Sequence, residues 1–485
     1  MKRRQFIGIT LPATGAILAA PGLMDFQIRK EIMPQFTGES AVDEYDVIIN
    51  GAGLAGYFAA IEAANQGKSV LIVDKRSSPG YEITAKYKLW LNTDGIDTLS
   101  KDMTQLLTPE AEKMEIHNDN AVNSVIRDEL LLMNGSIRKG MLRNLLVNKV
   151  HVLLMTDVCG VMSDKKNVTG VMVASKYGIH TLRCRSFVDA SDNLLLTRKL
   201  NGSSTKVNRV GFVLEVHNTK NPENKEIKVA EKYGLVNNSM RMHSGKHLDH
   251  QSFLEFEFSS TSGKLEDIEM EARMISAQLG KDLKSLDTSL VGASINQFPL
   301  ECSFTLNDTK APKAPLKGYY TITNESFKSK CADLNTLASE AQKLVSGIKS
   351  GSPAKSTTIF TPDGEIPIDQ VTFSDPDDPG LYMPLKNCSF DYSRWIKQKD
   401  QCQVVVAGGG TAGAMAAMGS AEKKARTYVV DYFNDLGGTK TVGCVMGYYH
   451  GFKSHKFFKQ QDEKSSQISH DHNMNNRVGR KLFHL

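Results

Sequence analysis

The hydrophobic pattern of this chain changes period along its length, and the changes divide it. Residues 45–76 read YDVIINGAGLAGYFAAIEAANQGKSVLIVDKR. Val47-Ile48-Ile49 is a short unbroken apolar run of the kind that forms a buried strand. The alanine-rich stretch after it suits a helix and stops at Gly67, and a second apolar run, Val70 to Val73, ends at Asp74. Residues 149–193 predict four more strands, with turns at 164–167 and Tyr177-Gly178, the last running into SFVDASDN. From residue 206 the period becomes two. RVGFVLEVHN and FLEFEFSS alternate apolar and polar residues as half-buried antiparallel strands do. Leu265, Ile268, Ala272, Ile275 and Leu279 follow a helical stripe, as do Leu334, Leu337, Ala338, Ala341 and Leu344. Residues 349–380, rich in Ser, Pro, Gly and Asp, predict a loop or linker. Residues 402–419, CQVVVAGGGTAGAMAAMG, then restore the strand–glycine–helix pattern of the beginning. The expected class is α/β with a sheet-rich insertion.

Composition changes this picture little. Apolar and charged contents of 40% and 23% are those of an ordinary globular protein. The net charge of +5 is spread along the chain and speaks against a nucleic-acid partner. The seven cysteines include no CxxC pair and are odd in number, so isolated structural thiols are expected rather than a zinc site or a complete disulfide framework. Residues 1–24 read as a targeting signal: Lys2, Arg3 and Arg4 precede an apolar stretch from Phe6 to about Leu18, then small residues. RRQFI is similar to a bacterial twin-arginine export signal, with an uncleaved anchor as the alternative, so a periplasmic or secreted protein is expected. No later segment is apolar enough to span a membrane.

The candidate chemistry lies in the glycines. Gly51, Gly53 and Gly56 form G-x-G-x-x-G between a strand and a helix. In such a turn the first glycine permits the tight bend, the second lets the backbone approach a pyrophosphate, and the third lets helix pack on strand. The pyrophosphate meets the free N–H groups and positive dipole end of the helix, and an acid ending the next strand, here Asp74, accepts from the ribose hydroxyls. QGKS at 66–69 is not a P-loop, because Glu62 stands where the leading glycine is needed. A shift of 357 residues lays Gly51, Gly53, Gly56 and Asp74 on Gly408, Gly410, Gly413 and Asp431, so the nucleotide unit is an internal repeat.

With the nucleotide turn, the strands that follow it and the ending VDASDN in view, the chain resembles FAD-dependent oxidoreductases of the glutathione-reductase-like class, in the branch related to fumarate reductase flavoproteins. The resemblance implies a Rossmann-like FAD-binding domain with an inserted β-rich α+β domain, plus a partial second βαβ unit. It implies that Gly51, Gly53, Gly56 and Asp74 hold the ADP half of FAD, with Lys75 beside the ribose and the backbone at Val158 beside the adenine. After the second acid, LGGTKTVG is similar to the flavin-side segment of the family, which gives Gly437, Gly438, Thr439 and Thr441 to the pyrophosphate and ribityl chain. The first copy keeps Gly80 there but has Tyr81 for the second glycine.

The expected organisation is a signal (1–24), a linker (25–44), an FAD-binding domain (45–205), an inserted region (206–330), a helix and linker (331–400), the second motif (401–451) and a polar tail (452–485). The tail shows no apolar period, which predicts a truncated second domain; the alternative is that both βαβ units share one sheet. His243, His247 and His250 have a spacing that metal ligands could use, but Gly245 interrupts the stretch and a solvated or substrate-facing loop is the expectation. No GxSxG elbow exists, and Cys444 and His450 have no evident partner, so no catalytic residue is assigned. The function expected is that of an exported FAD-dependent oxidoreductase with hydride transfer via flavin and a small-molecule substrate. Its rival is a degenerate or truncated flavoprotein-like binding module without catalysis.

Overall fold

The computed structural model describes residues 44–100, 103, 107, 124–126, 129–245, 250–349, 355–374, 385–391, 393, 401–433, 436–441, 443, 445 and 456–475. The first apolar runs become β1 (Tyr45–Asn50) and β2 (Val70–Asp74), joined by helix α1 (Leu54–Asn65). Helix α2 (Asn134–Val147) leads into β3 (His151–Leu154), followed by β4 (Thr156–Ser163), β5 (Val168–Ser175) and β6 (Gly178–Asp189). The twelve residues of β6 change neighbours along their length. Its first half pairs antiparallel with β5, and its second half pairs parallel with β1. Strands β1, β2 and β3 continue the parallel part. Because helices cover parallel strands, β1 and β2 are buried almost throughout and read as continuous apolar runs rather than alternating ones.

The insertion has its own sheet and core. It comprises β7 (Val207–His217), β8 (Lys225–Lys228), β9 (Leu235–Ser244), β10 (Ser252–Phe258), helix α3 (Ile268–Leu286), β11 (Ser294–Gln297) and β12 (Ser303–Leu306). The strand order is β8-β9-β10-β7-β11, with β12 also on β7. Phe212, Phe256, Phe258 and Phe298 fill the layer against α3. The chain returns to the first sheet before residue 330: β13 (Tyr319–Thr321) lies parallel to β6. Helix α4 (Cys331–Ser346) then packs Leu334, Leu337 and Ala341 in the same core as Ala59, Ala60 and Ala63 of α1.

Two segments differ from the sequence reading. Residues 349–380 are not simply a linker. Strands β14 (Thr358–Thr361) and β15 (Gly364–Pro367) extend the antiparallel part through β4, and β16 (Val371–Ser374) pairs with β17 (Lys386–Phe390), which reaches β6. Four-residue edge strands around polar turns carry too little apolar periodicity to stand out. The polar tail also contains a helix at Lys456–Asp471. It buries Gln461, Ser465 and Ser469, and Met474 beyond it joins the core of the insertion. Just past its end, the His472 carbonyl oxygen lies where an added Cβ on Gly280 would point. A face that buries serine and glutamine gives no hydrophobic stripe.

The second glycine motif forms β18 (Val404–Ala407), α5 (Thr411–Glu422) and β19 (Thr427–Val430). Its two strands pair in parallel and make a sheet of their own, so the two nucleotide units do not share one. Among the described residues no helix is long and apolar enough to cross a membrane.

Candidate functional site

Both glycine turns have the same backbone. Gly51 and Gly408 have φ of 103° and 95°, a region open to glycine at little cost. The N–H of Gly51 donates to Val73 O at 2.7 Å and that of Gly408 to Val430 O at 2.7 Å. Gly80, with φ 72°, donates to Ala52 O at 2.6 Å; Gly437, with φ 93°, donates to Gly409 O at 2.8 Å. A Cβ on Gly56 or Gly413 would run into the carbonyl oxygen of Gly51 or Gly408. The register agrees too: Val47 faces Val70 and Val404 faces Thr427, each 357 residues on.

The two acids are also alike, and neither stands ready for a ribose. Asp74 accepts from Ala52 N at 2.5 Å and from Arg76 N at 2.8 Å, and its side chain is fully buried. Asp431 accepts from Gly409 N, and from Phe433 N at 2.7 Å. In each copy the acid closes the glycine loop on itself.

The copies part at the pyrophosphate position. In the first, the ring of Tyr81 and the carboxylate of Glu82 lie where a Cβ on Gly53 would point. Glu82 Oε2 accepts from Leu54 N at 3.1 Å, and Asn324 Oδ1 accepts from Ala55 N at 2.7 Å, so side chains take two N–H groups of the first turn of α1. The Asn324 amide donates to the Tyr81 hydroxyl at 2.8 Å and to Glu82. Arg76 stacks over Tyr81 at 3.9 Å and pairs with Glu301 at 2.7 Å, while Lys86 donates to Asp192 at 2.6 Å. Burial pushes the Glu82 carboxyl up to about 7, against the pull of Lys86 and the Leu54 N–H. Burial alone would lower Arg76, but Glu301 and Asp74 hold it well above its ordinary value. The Glu301 carboxyl, which burial would raise, is held below its ordinary value by Arg76.

In the second copy Gly438 and Thr439 stand in place of Tyr81 and Glu82. A Cβ on Gly410 would meet nothing within 4 Å, and among the described residues no side chain takes the N–H groups of Thr411 and Ala412. The turn is pinned beside the helix by Thr411 Oγ1, which donates to Gly437 O at 2.9 Å, and by the buried Thr441 hydroxyl, which donates to Leu436 O at 2.5 Å. Thr439 is exposed. The backbone of this loop fits a dinucleotide's diphosphate; that of the first is filled by its own side chains.

Beside the first loop lies a cavity of about 390 Å³ at the carboxyl ends of β1 and β2, where open α/β sheets bind ligands. It brings together Gly51, Asp74, Lys75 and Val158, all named by the sequence reading. It also exposes Asp157 and Lys199, which that reading missed. The walls Thr361 and Phe390 come from segments read as linker, so no motif announced them.

His243 stacks on Trp90 at 3.6 Å between ring centres and lies between Glu129 (3.4 Å) and Glu255 (3.3 Å). His250 faces Thr219 O, and among the described residues no cluster could hold a metal ion. His247, Cys444 and His450 lie outside the described residues. Six described cysteines are free thiols.

A family model described as FAD dependent oxidoreductase matches residues 46–235 and 403–479, together more than half of the chain and including both glycine turns. No curated protein matches. Among solved structures the chain is similar to a geranylgeranyl bacteriochlorophyll reductase-like protein from Thermoplasma acidophilum, at 12% identity and TM-score 0.46 over 63% of this chain and 79% of that one. It is also similar to the flavin-dependent brominase Bmp2, at 15% identity and TM-score 0.40 over 64% and 81%. A third is the anhydrotetracycline hydroxylase OxyS from Streptomyces rimosus, at 15% identity and TM-score 0.40 over 63% and 62%. The chain belongs to the FAD-dependent oxidoreductases, and FAD is its cofactor.

Proposed function

We propose that the protein is an exported oxidoreductase that oxidises a small molecule by hydride transfer to bound FAD. The observation that carries this reading is the dinucleotide turn built twice, with torsion angles, hydrogen bonds and strand register repeating at an offset of 357 residues. FAD, when bound, supplies the hydride acceptor; the protein supplies binding, orientation and exclusion of water. Gly408, Gly410, Gly413 and Gly437 to Thr441 offer backbone to the diphosphate, and the cavity by Lys75 and Val158 offers a mostly apolar recess. Export rests on the twin-arginine-like start at Arg3-Arg4. Purified protein should be yellow, with flavin absorption that a reducing substrate bleaches. A colourless protein that takes up no added FAD refutes the reading. Fractionation of cells carrying the wild type and an Arg3→Lys/Arg4→Lys variant tests export; equal distribution of the two counts against it.

One observation favours a non-catalytic binding module instead. The first cradle, which has the larger domain around it, is occupied by Tyr81 and Glu82. Uptake of FAD without turnover of any reductant would support that alternative.

A further inference from the structure

The two glycine loops share the torsion angles of Gly51 and Gly408 and of Gly53 and Gly410, and they share their hydrogen bonds; the copies differ in what fills the loop. Tyr81 and Glu82 occupy the positions of Gly438 and Thr439, and among the described residues only the first copy recruits a third residue, Asn324, from the segment after β13. The carboxylate of Glu82 sits on a helix N-terminal N–H, the place a phosphate oxygen takes in a dinucleotide turn. Arg76 and Lys86, the cations nearest this pair, are engaged by Glu301, Asp74 and Asp192. A diphosphate entering here would therefore displace a hydrogen-bonded carboxyl group, a buried ring and its stacked guanidinium together. At Gly410 it would displace none of the described side chains.

We infer that Tyr81 and Glu82 act as an internal ligand of the first cradle, and that this pair decides which copy takes the FAD diphosphate, leaving that task to the loop at Gly410. The inference rests on the FAD reading above and deepens it. It turns the repeat from two equivalent sites into one structural copy and one binding copy. The first copy then keeps its glycines for close packing: Gly56 against Gly51 O, and Gly53 against Tyr81.

The test uses the full chain and FAD itself, followed by quenching of flavin fluorescence with the bound equivalents counted after gel filtration. Gly410 has φ −60° and open space, so Gly410→Val is compatible with the fold while filling the cradle. It should reduce FAD uptake at least tenfold. Tyr81→Gly/Glu82→Thr, which installs the second copy's residues, should add up to one bound equivalent over wild type, and should restore uptake when combined with Gly410→Val. Wild-type uptake that Gly410→Val leaves unchanged overturns the inference but not the FAD reading. Absence of uptake by wild type and double variant alike, with both folded by circular dichroism, overturns both. Should the double variant fail to fold, the Gly410→Val comparison decides alone.

Discussion

Replacing Glu82 by glutamine should change how stability depends on pH, and the size of the change follows from where the carboxyl sits. Glu82 is 6% exposed, bonded to Leu54 N–H and Asn324, with Lys86, Arg76, Tyr81 and Asp192 as its charged or titratable neighbours. Burial raises its pKa from 4.5 to about 7, whereas unfolding returns it to the ordinary value. Between those two pH values the folded chain holds a proton that the unfolded chain releases, so stability falls as pH rises through the window and the loss is complete above about 7. At about 1.4 kcal/mol per pH unit the loss comes to ~3 kcal/mol. Glutamine cannot ionise, so this slope should vanish in Glu82→Gln, although its amide leaves one polar group imperfectly paired at all pH values. The quantity to measure is the difference in unfolding free energy between variant and wild type, by urea denaturation from pH 4 to pH 8. It should shift in favour of the variant by ~3 kcal/mol across the range, and the constant cost of the amide cancels. A difference independent of pH would mean that Glu82 ionises as freely in the folded chain as in the unfolded one, and the account of a buried internal ligand would fail.

Other consequences can be checked separately. Gly56→Ala drives a methyl group into the Gly51 carbonyl oxygen and should cost about 2 kcal/mol or more in denaturant titration. Gly413→Ala makes the same collision with Gly408, but in a two-stranded unit with its own sheet, so it should raise protease cleavage within residues 401–433 while leaving the main melting transition in place. Asp189 is fully buried and accepts from Ser191 N, Thr197 N and the Thr197 hydroxyl; Asp189→Leu strands these donors and should cost roughly 3–5 kcal/mol. Burial raises the thiols of Cys184 and Cys302 and pushes Cys331 up to about 11, so at pH 8 a disulfide reagent should label these three only after denaturant is added.

Much of the fold was legible because its signals are local. The runs at 45–50 and 70–74, the turns at 164–167 and 177–178, and the stripes of α3 and α4 sit where their periods put them. The repeat at 357 residues was legible down to the acids. What escaped was structure made by partners distant in sequence. The strands at 358–374 exist because β4 and β6 offer edges to them, and the helix at 456–471 docks through serine and glutamine rather than leucine.

The site divides along the same line. Sequence alone determined two dinucleotide turns, since glycines at fixed offsets and an acid at a strand end dictate a backbone whatever surrounds it. Through those motifs it also indicated the broad family of FAD-dependent oxidoreductases. Only the tertiary structure decided what each turn is. Ile48 and Val73 are fully buried because β6 and β3 flank their sheet and helices cover it; their counterparts Val405 and Val430 are 62% and 64% exposed because, among the described residues, β18 and β19 have no such neighbours. The same surroundings bring Asn324, Glu301 and Asp192 onto Tyr81, Glu82 and Arg76, from positions more than a hundred residues away in the chain. Occupancy of a glycine cradle depends on side chains that converge through space, and no local pattern records that convergence.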